Sequence, residues 1–165
     1  MKEITAESLS FAPFNKIGKG WMLVSAGSPE KCSTLTASWG GLGIMWGKNV
    51  AAIGIRPQRH TLSFLDANDT YTLSFFDETY RSALSYCGSH SGGENAKIAE
   101  AGLTLIPNES VPMFQEASLT LVCKKLYRQP MDPKCLLDSS IDSHCYPDKD
   151  YHIFFVGEIL KAYEK

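Results

Sequence analysis

The alternation of hydrophobic and polar residues along the chain predicts a protein built mainly from β-strands. In residues 32–39, hydroxyl-bearing positions alternate with apolar ones, and a period of two places the two groups on opposite faces of a strand. Runs rich in aromatic and branched residues, bounded by glycine or proline, predict further strands. These runs lie at residues 21–26, 50–56, 71–76, 103–106, 118–127 and 151–163.

Short helices are predicted in the middle of the chain. Apolar residues recur at helical spacing around residues 78–86, which indicates one buried helix face. Residues 61–67 and 94–101 predict two further short helices. Residues 130–150 hold three prolines and many polar residues, so we expect them to form an excursion over the surface.

Together these elements predict an antiparallel barrel of about seven strands with helical insertions. The strands are joined by short turns and do not alternate regularly with helices, which argues against a doubly wound parallel sheet. A small closed barrel hides its strand edges, and its rim is a natural place for a ligand. The length of 165 residues suits a single domain over residues 1–165.

Composition and charge exclude several classes of protein. With 16 basic and 18 acidic residues, the formal net charge is −2, and so small a charge gives no broad positive field for nucleic acid. No apolar run is long enough to cross a bilayer, and no signal peptide is evident. The five cysteines are odd in number and lack C-x-x-C spacing. We therefore expect free thiols, no membrane partner and a cytoplasmic location.

The first candidate binding segment is the hydroxyl-bearing strand that runs into Gly40, Gly41 and Gly43. Without side chains, glycines let a flat ligand approach main-chain N–H groups. The alternative is an exposed hydroxyl face followed by a glycine-rich hairpin. The segment alone does not decide between these interpretations.

Two further segments predict anion sites. Residues 56–61 carry two arginines, a histidine and a helix-capping hydroxyl, a combination that suits an anion at a helix N-terminus. Residues 87–97 are small and polar and end in a lysine, so their amides and hydroxyls could surround phosphate oxygens. The alternatives are a capped helix with solvated charges and a surface turn. A planar-ligand surface with two anion sites suits a phosphorylated aromatic cofactor.

The chain resembles the flavin reductase-like family in three segments, which occur in the same order as in that family: residues 33–40, 56–61 and 88–97. Members of this family, which include flavoredoxins, have an FMN-binding split barrel. The closing strand, residues 152–159, is also similar to the last core strand of that family. The resemblance covers residues 20–163, nearly the whole chain. The chain departs from the family pattern at Ser33, where asparagine is frequent, and at Ala96, where aspartate is frequent.

The resemblance implies a homodimeric, six-stranded Greek-key barrel that holds FMN near the dimer interface. On the hydroxyl-bearing strand, the residues expected to contact the flavin ring or ribityl chain are Thr34, Thr36, Ala37, Ser38 and Trp39. In the arginine turn, the residues expected to hold the ribityl and phosphate groups are Arg56, Arg59, His60 and Thr61. In the polar loop, the further phosphate ligands are expected to be Ser89, Ser91 and Lys97. The resemblance also implies that His152 lies near the flavin.

The implied function is that of an FMN-dependent oxidoreductase, with NAD(P)H as a transient electron donor. No catalytic side chain is assigned, since the cofactor carries the electron chemistry. Two functions compete: a flavin reductase that reduces free flavin, and a flavoredoxin-type carrier that keeps its FMN and passes electrons to a partner protein.

Two other classes of function stay open in the sequence. A non-catalytic barrel could hold a nucleotide or haem. Cys135, His144, Cys145 and His152 could also be assembled into a zinc site, although their spacing matches no common zinc motif. We therefore predict no metal site.

Overall fold

A computed structural model describes residues 1–92, 94–107 and 109–165, and antiparallel strands dominate it. The strands are β1 (Lys2–Ile4), β2 (Met22–Ser28), β3 (Lys31–Ala37), β4 (Gly40–Met45), β5 (Lys48–Ile55), β6 (Thr70–Phe75), β7 (Leu119–Pro130) and β8 (Ile153–Glu164). The helices are α1 (Thr61–Ala67), α2 (Arg81–Ser89), α3 (Glu94–Glu100) and α4 (Ser139–Cys145). Single tight turns of helix lie at Ala6–Ser8, Glu78–Tyr80 and Pro133–Cys135, and a wider turn at Phe14–Lys19.

The strands form one curled sheet in the order β3-β2-β6-β7-β8-β5-β4, with β1 beside β8. All pairs are antiparallel. This confirms the predicted fold class, a mainly β antiparallel barrel with short helices. Among the described residues the hydrogen-bonded path ends at β3 and β4, which agrees with the split barrel that the family resemblance implies. The barrel is therefore split, and β3 approaches β5 across the opening.

The interior of the barrel is filled by alternate residues of the strands. Tyr71, Phe75 and Phe155 are its largest fully buried side chains, as expected for strands whose inward positions must fill a small barrel. A second apolar cluster lies outside the barrel, where α2 and α3 pack on β2 and β3. Leu84 and Ile98 supply its helix side. This packing fixes the two helices beside the end of β3.

Three elements were not predicted from the sequence. β1 is three residues long, β4 is glycine-rich, and α4 lies within the excursion at residues 130–150. At Gly40, a Cβ would lie 2.4 Å from the Ala52 carbonyl oxygen, so glycine permits the close pairing of β4 with β5. The glycine-rich hairpin of the alternative interpretation is thus observed, whereas the hydroxyls of Ser33 and Thr34 on the preceding strand are buried and not exposed. In α4, the Asp138 carboxylate accepts a hydrogen bond from the Ser140 N–H (2.9 Å) and caps the helix.

Several predicted bounds differ from the structure. The helix predicted at residues 78–86 begins as one tight turn and continues as α2 to Ser89. The strand predicted at residues 103–106 is reduced to a single bridge between Leu105 and Phe114. Gly93, in the predicted polar loop, lies outside the described residues. Among the described helices, none is both long and apolar enough to cross a membrane.

Candidate functional site

A cleft of about 310 Å³ opens where β3 and β5 diverge at the split of the barrel. The ladder between β2 and β3 ends at the Met22–Ala37 pair, so the main chain of Ser38 and Trp39 borders the cleft beyond the last paired residue. None of the lining side chains is a carboxylate. The lining residues are Leu35, Thr36, Ala37, Ser38, Trp39, Gly54, Ile55, Arg56, Gln58, Arg59 and His152.

A second depression of about 360 Å³ lies on the other side of the end of β3 and shares Thr36, Ala37 and Ser38 with the cleft. Its other lining residues are Trp21, Leu84, Ser85, Gly88 and Ser89. Gly88 fits tightly, because a Cβ there would lie 3.3 Å from the Thr36 Cβ. The two depressions therefore flank one strand end.

Two cations converge on the C-terminal end of α2. Arg59 donates to the carbonyl oxygens of Gly88 (2.7 Å) and Cys87 (3.4 Å). Lys97 is 4% exposed, and its ammonium donates to the carbonyl oxygens of Thr34 (2.6 Å) and His90 (3.2 Å). Positive charge is favoured at this end of a helix, where carbonyl groups point outward.

The two cations also affect each other. Burial lowers the pKa of Arg59. Burial is likewise the main cause that lowers the pKa of Lys97, and the charge of Arg59 lowers it further. Neither has a carboxylate partner within salt-bridge distance in the described part of the chain. An anion beside them would relieve the repulsion, so this corner of the cleft favours a negatively charged ligand.

Arg56 has a different environment from Arg59. Its guanidinium pairs with the Asp150 carboxylate and donates to the Cys145 carbonyl oxygen (2.9 Å). It also lies over the ring of Tyr146, 5.2 Å from the centroid. The side chain of Gln58 donates to the same carboxylate (2.7 Å). These contacts fasten residues 145–150 to the margin of the cleft.

His152 forms part of the cleft wall. Its ring packs against Trp39 with centroids 4.7 Å apart, and its Nδ1 lies 2.9 Å from the Tyr146 hydroxyl oxygen. Gly54 makes room for the ring, because a Cβ there would lie 3.3 Å from the His152 Cδ2. Burial lowers the pKa of His152, and the Arg56 charge lowers it further. The imidazole is therefore neutral at neutral pH.

The structure brings seven of the thirteen predicted site residues to the cleft. They are Thr36, Ala37, Ser38, Trp39, Arg56, Arg59 and His152. Ser89 borders the second depression, and its hydroxyl donates to the carbonyls of Ser85 and Tyr86 at the end of α2. Lys97 lies behind the cleft and holds the Thr34 carbonyl.

Besides Lys97, four predicted residues lie outside both depressions. The hydroxyl of Thr34 is buried and bonds the Ser25 hydroxyl (2.8 Å). That of Thr61 is buried against Ser33 (2.9 Å), so it does not cap α1 as predicted. His60 is exposed and packs on Phe64 of α1. Ser91 is exposed before α3. The Thr34 hydroxyl thus faces the neighbouring strand β2, and the Thr61 hydroxyl joins α1 to β3.

Sequence reasoning missed Gly54, Gln58, Tyr146 and Asp150 as site residues. Gln58 stood inside the arginine motif and could have been included. Tyr146 and Asp150 are remote in sequence from β3, and no local pattern links them to it. For the zinc alternative, the described residues contain no group of three His, Cys, Asp or Glu side chains able to hold a metal ion.

Solved structures of similar fold come from several organisms. Flavoredoxin of Desulfovibrio vulgaris (Miyazaki F) is 20% identical, with a TM-score of 0.67 over 100% of this chain and 76% of that chain. An FMN-binding protein from Thermus thermophilus is 19% identical, with a TM-score of 0.67 over 100% and 82%. NADH:FAD oxidoreductase of Streptomyces globisporus C-1027 is 16% identical, with a TM-score of 0.66 over 88% and 75%. At such identities, the likeness establishes the fold.

Sequence comparison establishes the family. No match was found among curated protein sequences. The profile described as "Flavin reductase like domain", however, matches residues 14–165, nearly the whole chain. This confirms the resemblance noted in residues 33–40, 56–61 and 88–97. The chain therefore belongs to the flavin reductase-like domain family, and its predicted class of function is that of an FMN-binding, flavin reductase-type oxidoreductase.

Proposed function

We propose that this chain binds FMN in the cleft at the split of the barrel and transfers electrons from a reduced nicotinamide to an acceptor. One observation carries the proposal: in a chain of this family, Arg59 lines the cleft and Lys97 lies behind it, neither has a carboxylate partner among the described residues, and no lining side chain is a carboxylate. A phosphorylated ligand with a flat ring needs both parts, an anion corner and an extended wall.

The residues present fit FMN. A volume of about 310 Å³ reaches the lower end of the range for cofactor-sized pockets, roughly 300–1,000 Å³. Arg59 would hold the phosphate, and the ammonium of Lys97 would add charge from behind. Ser38 and Gln58 would bind the ribityl hydroxyls. The ring would lie against the main chain of residues 37–39 and the Trp39 side chain.

The chemistry that FMN supplies when bound is electron transfer, in pairs or singly. The protein contributes binding, orientation and charge. Trp39 and His152 provide an aromatic wall that limits water on one side. The Thr36 hydroxyl donates to the Leu84 carbonyl oxygen, which holds β3 against α2 and keeps the strand end fixed. Fixed donors at the cleft stabilise negative charge without reorganisation.

The source of electrons and their destination belong to the proposal. We propose NAD(P)H as the transient donor, in line with the NADH:FAD oxidoreductase of similar fold. The acceptor is free flavin if the protein is a reductase, and a partner protein if it is a flavoredoxin-type carrier. Steady-state NADH oxidation with added FMN separates these roles. Turnover that saturates with flavin supports the reductase, and negligible turnover supports the carrier.

We further propose that residues 1–165 form one domain and that two copies of the chain form a homodimer. Ile44, Met45 and Trp46 expose apolar surface at the hairpin between β4 and β5, with Ile44 71% exposed. β4 also ends the hydrogen-bonded path of the sheet, and apolar surface beside a strand edge suits a protein partner. Sedimentation equilibrium tests this.

All five cysteines are free thiols, which supports a reducing, cytoplasmic location.

The experiment that tests FMN binding compares FMN with riboflavin, which lacks the phosphate. Titrations of the flavin-free protein, followed by flavin fluorescence, should show tighter binding of FMN. Arg59→Gln should weaken FMN about 10- to 100-fold, the effect of losing a charge-assisted hydrogen bond, and leave riboflavin unchanged. Arg128→Gln is the control, because Arg128 pairs with Asp66 (2.7 Å) on the exposed surface.

Two outcomes would contradict the proposal. The first is absence of FMN binding to the wild-type protein in the micromolar range. The second is an equal loss of FMN and riboflavin affinity in the Arg59 variant, which would place the phosphate elsewhere. Circular dichroism of each variant checks that the barrel is intact.

A further inference from the structure

We infer that Tyr146 is a positioning residue that holds His152 with its Nε2–H available as a hydrogen-bond donor to the ligand in the cleft. The identity of that ligand as flavin rests on the proposed function. The orientation and tautomer of His152 do not, because they follow from contacts within the chain. Tyr146 lies just beyond α4, outside every motif that the sequence resemblance includes.

The first step is the geometry of the pair. Tyr146 is 2% exposed and His152 is 7% exposed. The Tyr146 hydroxyl oxygen lies 2.9 Å from the His152 Nδ1 and 3.4 Å from the Met131 Sδ. The imidazole packs against Trp39, at 4.7 Å between centroids, and Gly54 lies close beside it. The ring is therefore restrained by packing and at one nitrogen.

The second step is the position of the proton. Burial raises the pKa of Tyr146 and lowers that of His152, so both are neutral at neutral pH and the pair shares two hydrogens. The Tyr146 O–H can donate to Nδ1 or to the Met131 thioether, which is a weak acceptor. An imidazole nitrogen is the stronger acceptor. The hydroxyl therefore donates to Nδ1, and the imidazole hydrogen resides on Nε2.

The third step is the direction of Nε2. Nε2 lies across the ring from Nδ1 and has no hydrogen-bond partner among the described residues. In that part of the chain, the Tyr71 hydroxyl is the sole fully buried polar side-chain atom that lacks a partner, so Nε2 is not fully buried. Nε2 is therefore accessible, and His152 lines the cleft. A neutral N–H donor at this wall stabilises negative charge on a bound ligand without carrying charge itself.

The fourth step is how the chain holds Tyr146 in place. Arg56 lies over its ring and bonds both the preceding Cys145 carbonyl oxygen and the Asp150 carboxylate. Tyr151 also packs against the Tyr146 ring, with ring centroids 4.9 Å apart. The excursion at residues 130–150 thus places the buried Tyr146 hydroxyl beside His152 in the cleft wall.

The direct test measures the tautomer by ¹⁵N NMR of the imidazole nitrogens in flavin-free protein. The chain has four histidines, and His152→Gln assigns the signal. We expect the His152 Nε2 to carry the hydrogen and Nδ1 to resonate as the unprotonated nitrogen. Tyr146→Phe should shift the Nδ1 resonance and introduce the second tautomer. Met131→Leu should leave the spectrum of His152 unchanged.

The second readout is the midpoint potential of bound flavin. Losing the fixed donor should weaken the preference for the reduced, negatively charged form at least about threefold, which lowers a two-electron potential by about 14 mV. The effect of Tyr146→Phe should disappear in a His152→Ala background, because the hydroxyl acts through the imidazole. Tyr86→Phe is the matched control, since the Tyr86 hydroxyl donates to the Glu100 carboxylate (2.7 Å) and Tyr86 lines neither depression. The flavin potential of this variant should equal that of the wild type.

The outcomes separate this inference from the proposed function. A hydrogen on Nδ1 in the wild type would overturn the inference, whether or not FMN binds. An equal shift in potential in the presence and absence of His152 would also overturn it. Failure to bind FMN would refute the proposed function, while the tautomer measurement would still decide the role of Tyr146.

Discussion

The barrel interior makes a sharp prediction at Gly157, in β8. A Cβ there would lie 2.4 Å from the Tyr71 hydroxyl oxygen, 2.9 Å from its Cζ and 3.0 Å from its Cε1. Tyr71 is fully buried, and close-packed interiors leave little room for a ring to move. We therefore expect Gly157→Ala to destabilise the protein by about 1–3 kcal/mol, the usual cost of overpacking.

The Tyr71 hydroxyl gives a way to test the cause. It has no hydrogen-bond partner in the described part of the chain, and an unpaired buried polar group costs about 1–3 kcal/mol. Tyr71→Phe alone should thus be neutral or stabilising. It also removes the shortest of the three contacts, so Gly157→Ala should cost about 1 kcal/mol less in the Tyr71→Phe background.

The assay is urea unfolding of the four proteins of this cycle, followed by fluorescence of the three tryptophans. Gly41→Ala is the control, because nothing lies within 4 Å of a Cβ at that position in β4, and it should be neutral or slightly stabilising. If the free energy of unfolding of Gly157→Ala equals that of the wild type, the reasoning is refuted. An equal cost in both backgrounds would show that Tyr71 is not the obstacle.

Three further predictions concern the helices, the thiols and acid stability. Asn95 joins α3 to the β2–β3 turn and to β3, since its Nδ2 donates to the Pro29 carbonyl oxygen (2.7 Å) and its Oδ1 accepts from the Cys32 N–H (3.0 Å). Asn95→Ala should lower the free energy of unfolding by about 1–3 kcal/mol in urea titrations. Iodoacetamide at pH 8 should label the exposed Cys135 in the native protein, as mass spectrometry of peptides would show. The buried thiols of Cys32, Cys87 and Cys123 should react only after unfolding. Burial raises the pKa of Cys32 and of Cys123 to about 12. Because burial keeps the folded pKa of His152 below the ordinary 6.5, the unfolded chain binds more protons below pH 6.5, and the free energy of unfolding should fall on acidification. His152→Gln should reduce that fall, which unfolding titrations between pH 5 and 7.5 would measure.

Much of the fold was predictable because its signals are local. α1 was predicted at the residues where it occurs, and β5, β6, β7 and β8 within a few residues of their observed ends. β4 escaped prediction because it is glycine-rich and largely exposed, so it lacks the apolar alternation of a half-buried strand. Its partner β5 gives it structure, through backbone pairing that needs no side-chain pattern.

The candidate site was predictable only in part. Trp39, Arg59 and His152 were expected at the cleft and border it. Arg56 was expected on the ligand, yet its guanidinium pairs with Asp150. Both arginines belong to the same turn, and their local sequence does not distinguish them. What separates them is which distant segment packs beside each guanidinium.

By itself, the sequence determined most of the strands and short helices, the antiparallel class and the family, because these depend on residues close together in the chain. Tertiary structure alone decided that the cleft of the split barrel lies where β3 and β5 diverge and that Lys97 is buried behind it. It also placed Tyr146 on His152. The physical reason is that burial and hydrogen-bond partners depend on contacts between distant segments, and local patterns of hydrophobicity do not encode which segments meet.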